Sequence, residues 1–191
     1  MEVKHNKILK FSKIMNVGNS CAFDALTFWI NLIPIEKAVK ILELLEPNLK
    51  AAIIELTRQL YMSSFNNYYL QTRLQQINDY IKSYYNVHSF EFLSIDDMLF
   101  DNEKLLESGY ITETFDDFKD ISVQIVHINK NHYMIKIIIN DSDNNIIHDI
   151  YINDIYDDIL NNIYSEDIVL VCNFDKNELD KLYDKIESMC E

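Results

Sequence analysis

Glycine and proline are almost missing from this chain, with two of each in 191 residues. A phosphate-cradling loop needs several glycines within a short stretch, so Gly-rich nucleotide loops are excluded. Pro34 and Pro47 flank one helical segment, and no Pro-, Gly- or Ser-rich tract marks a linker or an internal repeat. Cysteine is scarce and odd in number. Cys21, Cys172 and Cys190 are scattered in a way that matches neither a disulfide framework nor a zinc-ligand spacing. No apolar run is long enough to span a bilayer, and the first residues lack the apolar core of a secretory signal. Together these absences point to a reducing, cytosolic setting. Basic residues are also short, 17 against 31 acidic ones, for a net charge of -14. Nucleic-acid binding draws on basic surface that releases counterions, so it is disfavoured. An acidic surface suits a basic partner instead.

What is present is a chain with 48% hydrophobic residues, enough for one well-buried domain. The pattern divides it into a helical part, about 21–107, and a sheet part, about 111–191. Residues 21–33 read as a helix that is apolar nearly all round and therefore central and buried. Its polar positions Asp24, Thr27 and Asn31 form one stripe, with Cys21 at the stripe's end, where the thiol can face a cleft. The next helix, about 35–46, is amphipathic, with Ile35, Val39, Leu42 and Leu45 turned inward. Helices follow at about 48–62, 67–85 and 94–107, with a short strand at 88–92. From Ile121 the period changes to two, predicting strands at 121–127, 132–139, 146–153 and 167–173. Asp175 with Glu178 forms a capping-box pattern ahead of a last helix, about 175–189. Lys4, Lys7, Lys10 and Lys13 recur every third residue and read as a solvated helix face. Helices first and antiparallel strands second is an α+β layout.

The polar run Asn140–Asn145 is turn chemistry between two apolar strands. If Ile139 faces Ile146, paired numbers sum to 285, and Tyr133, Ile135, Ile137 and Ile139 share an apolar face with Ile152, Ile150, His148 and Ile146. The opposite face sets His132 against Asn153, Met134 against Tyr151, and Lys136 against Asp149 as an ion pair. A slip of four residues would bring Asp149 to His132 instead.

The segment Asn16-Val17-Gly18-Asn19-Ser20-Cys21-Ala22-Phe23-Asp24-Ala25-Leu26 places a cysteine where a polar loop becomes an apolar helix. A thiol at a helix N-terminus feels the positive end of the macrodipole, which favours the nucleophilic thiolate. The alternative, a buried small hydrophobe, explains neither Gly18 nor the loop-to-helix change. Thiol catalysis further needs an imidazole base, a group to orient it and a donor for the developing oxyanion. His132 can be the base and Asn153 the orienting group, with Asp149 in reserve. The Asn16 amide can serve the oxyanion together with the Cys21 backbone N–H. His127 ends a different strand and is the weaker base, while His148 falls on the apolar face as a core histidine.

These residues resemble the papain-like cysteine proteases, and within them the deubiquitinases, which share the order cysteine, histidine, then Asn or Asp. The Asn16–Cys21 box and His132-Tyr133 are similar to the two boxes of the ubiquitin-specific proteases. The chain's size, its helical region between cysteine and histidine, and Asn153 across the next strand resemble the Josephin domains. Cys21-Ala22-Phe23-Asp24-Ala25-Leu26 also resembles the ovarian-tumour family, with departures at Gly18 and Met134. The resemblance implies a papain-like fold and a thiol isopeptidase acting on ubiquitin or a ubiquitin-like modifier, with no cofactor and no metal. The small size and the wealth of Asn, Ile, Asp and Tyr point to a viral or bacterial product in host cytosol.

Overall fold

The computed structural model describes residues 3–11, 21–60, 75, 79, 83, 94–100, 102–111, 120–141, 143, 145–153 and 162–190. In chain order its elements are strand β1 (Val3–Lys10), helices α1 (Cys21–Leu32), α2 (Ile35–Leu44) and α3 (Pro47–Leu60), a π-helical turn at Asp96–Phe100, and helix α4 (Glu103–Ser108). Strands β2 (Ile121–Ile128), β3 (His132–Asp141), β4 (Ile146–Asn153) and β5 (Glu166–Phe174) follow, then a 3-10 turn at Lys176–Glu178 and helix α5 (Leu179–Met189). The architecture is α+β, a five-stranded mixed sheet ordered β1-β4-β3-β2-β5 with helices on one face.

Helix α1 organises the core. Every residue in it except Asn31 is buried, as expected of a helix apolar on all sides. It packs on β3 and β2, and the Trp29 indole donates to the Val123 carbonyl at 2.9 Å, tying helix to sheet at a buried point. Ile121, Val123, Ile125, Ile135, Ile137, Ile139, Ile150 and Ile152 complete this core from the strands. The Asp24–Thr27–Asn31 stripe is buried at the end nearer Cys21, where Asp24 and Thr27 lie inside the core. At its far end Asn31 donates to Thr27 O at 2.8 Å and to Thr57 Oγ1 of α3 at 3.0 Å, and with Thr57 it lines a cavity of about 410 Å³.

Four further expectations need correction. Residues 3–10 form a strand parallel to β4, from Val3↔Ile146 to Lys10↔Asn153, rather than a helix. The three-residue lysine spacing mimicked a helix face, whereas an edge strand carries lysines because they discourage further strand pairing. Helix α2 buries Ala38 and Ile41, with Leu42 packed against the core and Leu45 buried just past its end as expected, but it leaves Ile35 and Val39 exposed. The expected helix over 94–107 is split. Ser94 and Asp97 cap each other's backbone N–H at 3.1 Å, and Asn102 starts α4 by accepting from Leu105 N while donating to Leu44 O. The Asp175–Glu178 capping box is not formed; a 3-10 turn, closed by Glu178 N–H to Asp175 O at 3.1 Å, leads into α5. The expected helix at 67–85 and strand at 88–92 lie outside the described residues, apart from helical positions 75, 79 and 83.

The β3–β4 hairpin pairs Ile135 with Ile152 and Asp141 with Ile146, so paired numbers sum to 287 and not 285. Asn140 and Asp141 look like turn residues but stay in the ladder, which lengthens β3 by two. A shift of two preserves which residues share a face. The apolar face therefore survives intact, while individual partners change: Lys136 meets Tyr151, and Asp149 meets Ile138.

Candidate active site

A tight turn delivers His132 to the first position of β3. Asn129 and Lys130 adopt left-handed backbone, with φ of 53° and 59°, a conformation that asparagine tolerates better than most residues. Asn131 N–H closes the turn on Ile128 O at 3.1 Å. Asn129 then clamps the turn to the segment entering β5. Its Oδ1 accepts from the backbone N–H of Tyr164 at 2.8 Å and of Ser165 at 3.1 Å, and its Nδ2 donates to Asn162 O at 2.9 Å. His132 is thereby held on a fastened corner, and its side chain is buried.

Asn153 is the last residue of β4 and is also buried. Its backbone oxygen accepts from Phe11 N–H at 3.0 Å, and the Phe11 ring stacks on Phe28 of α1 with centroids 3.2 Å apart. The strand end carrying Asn153 is thus fixed to both β1 and the central helix. One step beyond the Ile135↔Ile152 pair, Asn153 shares a sheet face with His132, and the two side chains meet: His132 Nε2 and Asn153 Oδ1 are 2.7 Å apart. An amide oxygen only accepts, so Nε2 carries the proton and Nδ1 is the basic nitrogen.

Cys21 heads α1 and is buried at 9% exposure. Its charge is felt at Tyr133, the residue after His132. Burial pushes the Tyr133 phenol up to about 12, and the charges of Asp96, Cys21 and Asp97 push the same way, against a hydrogen bond with the Ile95 backbone. The Tyr133 ring stacks on its cross-strand partner His127, centroids 4.2 Å apart and ring planes nearly parallel at 3°. Burial lowers the pKa of His127, as does the neighbouring His132 charge, while Asp167 and Asp96 oppose. Tyr133, which senses Cys21, and His127, which senses His132, thus stack on one another at one end of the sheet, beside the exposed carboxylates Asp96, Asp97 and Asp167.

The other two thiols sit in a different environment. Burial raises the pKa of Cys172 and takes that of Cys190 up to about 12, so both stay protonated at neutral pH. Neither is suited to nucleophilic attack.

Of the residues the sequence singles out, the structure joins His132 to Asn153 and sets Cys21 at the start of the helix packed on their sheet. Asn16 lies outside the described residues. Asp149 is not brought to His132: the register moves by two in the direction opposite to the slip of four that this would need, and leaves it across from Ile138. Lys136 does not pair with Asp149 either; it reaches Glu166 at 2.9 Å, and Tyr151 donates to the same carboxylate. His148 is half-buried and stacks on His5 of β1. Sequence reasoning missed the clamp at Asn129 and the anchor at Phe11. The Asn129-Lys130-Asn131 triplet signals a turn, but nothing local signals its partner segment more than 30 residues away. Comparison with protein-family models, curated proteins and solved structures returned no match for this chain.

Proposed function

We propose that this protein is a papain-like thiol isopeptidase that releases ubiquitin or a ubiquitin-like modifier from a lysine side chain. The observation that carries the reading is the buried 2.7 Å contact between His132 Nε2 and Asn153 Oδ1, on the sheet against which the Cys21 helix packs. It gives the imidazole one orientation and one tautomer, with Nδ1 as the base.

In this mechanism His132 Nδ1 takes the Cys21 proton, and the sulfur attacks the carbonyl after the modifier's C-terminal glycine. The oxyanion draws on the Cys21 backbone N–H and the Asn16 amide. Collapse expels the lysine amine, which takes its proton from His132, and leaves a thioester. Water, deprotonated by His132, then hydrolyses the thioester and frees the thiol. Burial of His132 and Asn153 favours this chemistry, because hydrogen bonds and charges act more strongly away from water. Asp96, Asp97 and Asp167 offer negative charge beside the site, which suits a basic modifier tail. The net charge of -14 favours the same partner.

Incubation with ubiquitin carrying an electrophile at its C-terminus tests the reading. A single covalent adduct at Cys21, absent from Cys21→Ala, is the expected mass spectrum. No adduct with ubiquitin or ubiquitin-like probes, alongside turnover of another acyl substrate, would assign the thiol to a different reaction.

A further inference from the structure

At the opposite edge of the sheet, a cleft of about 400 Å³ lies between β1, β4 and α5, lined by His5, Asn6, Lys7, His148, Ile150 and Tyr183. Its composition runs against the rest of the chain. Acidic residues outnumber basic ones 31 to 17 overall, yet among the described residues this lining has no carboxylate and contains one lysine, two histidines and a tyrosine. The parallel register explains the gathering. His5 pairs with His148 and Lys7 pairs with Ile150, and alternate residues of a strand share a face, so both imidazoles and the ammonium project from one side of the β1–β4 pair.

We propose that this cleft is a binding site for a tetrahedral dianion such as the phosphate group of a small phosphate ester, held by His5, His148, Lys7 and the Tyr183 hydroxyl. The inference does not depend on the isopeptidase reading.

The His5 and His148 rings stack with centroids 5.5 Å apart and 24° between planes. A dianion favours the charged form of an imidazole beside it, so anion binding and proton uptake are coupled. Lys7 adds a fixed positive charge, felt as far as Cys190 at the end of α5. Tyr183 adds a donor. Burial and the nearby Asp141 charge both raise its pKa, so the phenol keeps its proton. Asp141 is the carboxylate that this phenol senses, and it stands outside the lining. His5 and Lys7 are exposed on an edge strand and His148 is half-buried, so an ion has access from solvent. The volume falls in the range of small-ligand pockets and exceeds what one anion fills, which leaves room for an esterifying group.

Sulfate is the probe, because its charge is constant between pH 5.5 and 7.5 and any pH dependence then belongs to the protein. Histidine side-chain resonances of the full chain are followed by NMR in sodium sulfate and in sodium chloride at equal ionic strength. Sulfate should raise the titration midpoints of His5 and His148 and leave those of His127 and His132 unmoved. Its affinity should be tighter at pH 5.5 than at 7.5, across the range in which an imidazole gains its charge. Lys7→Met, a change at an exposed side chain, should weaken sulfate several-fold, and His148→Gln should flatten the pH dependence. Equal midpoints in the two salts would overturn the proposal. So would sulfate binding unchanged in Lys7→Met, or His5 and His148 resonances that respond to micromolar Zn²⁺ and not to sulfate.

Discussion

The two faces of the β3–β4 hairpin are cut from the same strands and have opposite characters. One presents Ile135, Ile137, Ile139, Ile150 and Ile152, all buried against α1 and its neighbours. The other presents His132, Met134 and Lys136 beside Asn153, Tyr151 and Asp149. There the buried groups are mostly polar, and those with a described partner are satisfied by specific contacts: His132 with Asn153, and Lys136 with Glu166. The first face holds the strands against the helix that begins at Cys21. The second face, opposite the one that α1 covers, carries the His132–Asn153 hydrogen bond at the open end of the hairpin, so His132 can meet Cys21 only past that end of the sheet. Period-two alternation lets one hairpin do both, because a residue's parity alone decides its face.

Substitutions on the two faces should therefore fail differently. His132→Ala should lower turnover about 10³-fold, within the range of a lost general base, at a stability cost of about 1–3 kcal/mol from the unpaired Asn153 amide. Ile137→Ala, the next position but one to Ile135 on the core face, should cost about 2–5 kcal/mol of stability and leave kcat per folded molecule nearly intact. Steady-state kinetics and chemical denaturation on both variants would separate the faces; equal losses of both kinds in each would merge them.

Within the polar face, Asn153 and Asp149 are the sharper pair. Asn153→Ala should reduce kcat about 10²-fold through misplacement of the imidazole, and Asp149→Ala should not affect kcat beyond its effect on folding. A larger kinetic loss at Asp149 would show that the hairpin register differs from the pairing of Asp149 with Ile138. Lys136→Met should destabilise by about 1.5–3 kcal/mol, since it removes a charged hydrogen bond from a partly buried carboxylate, again without a kinetic signature.

The smallest effect concerns pH. The pKa of His127 is lowered in the folded protein, so the unfolded chain binds the more protons as pH falls below about 6.5. His127 thus supports folding above that pH and loses its contribution as pH drops through its lowered folded value. His127→Phe keeps the ring stacked on Tyr133 and removes the titration. Its stability should fall less than that of wild type between pH 7 and 5, as read by urea unfolding at each pH.

What was legible in the sequence follows the same division. The helix starting at Cys21, the apolar hairpin face and the shared face of His132 and Asn153 rest on local periodicity, which a two-residue register error does not disturb. The expected pairing of Asn153 directly across from His132 does not hold, because the observed register sets Asn153 level with Met134 and the two side chains meet diagonally. The register itself was misread because Asn140 and Asp141 carry turn chemistry while their backbones remain in the ladder. Strand β1 was misread for a different reason. Its partner among the described strands, β4, lies more than 130 residues away, and an exposed edge has no alternation to display. The Asn129 clamp and the Phe11 anchor are likewise long-range, and each positions the site without belonging to a local pattern.

The central claim is that the imidazole held by Asn153 serves the sulfur of Cys21. The rate of Cys21 alkylation as a function of pH, followed by mass spectrometry with Cys21→Ser as the blank, tests it most directly. The account predicts that His132→Ala slows alkylation strongly at pH 6 and leaves it unchanged at pH 9, where the thiolate no longer needs the imidazolium. A pH profile identical in wild type and His132→Ala would contradict it.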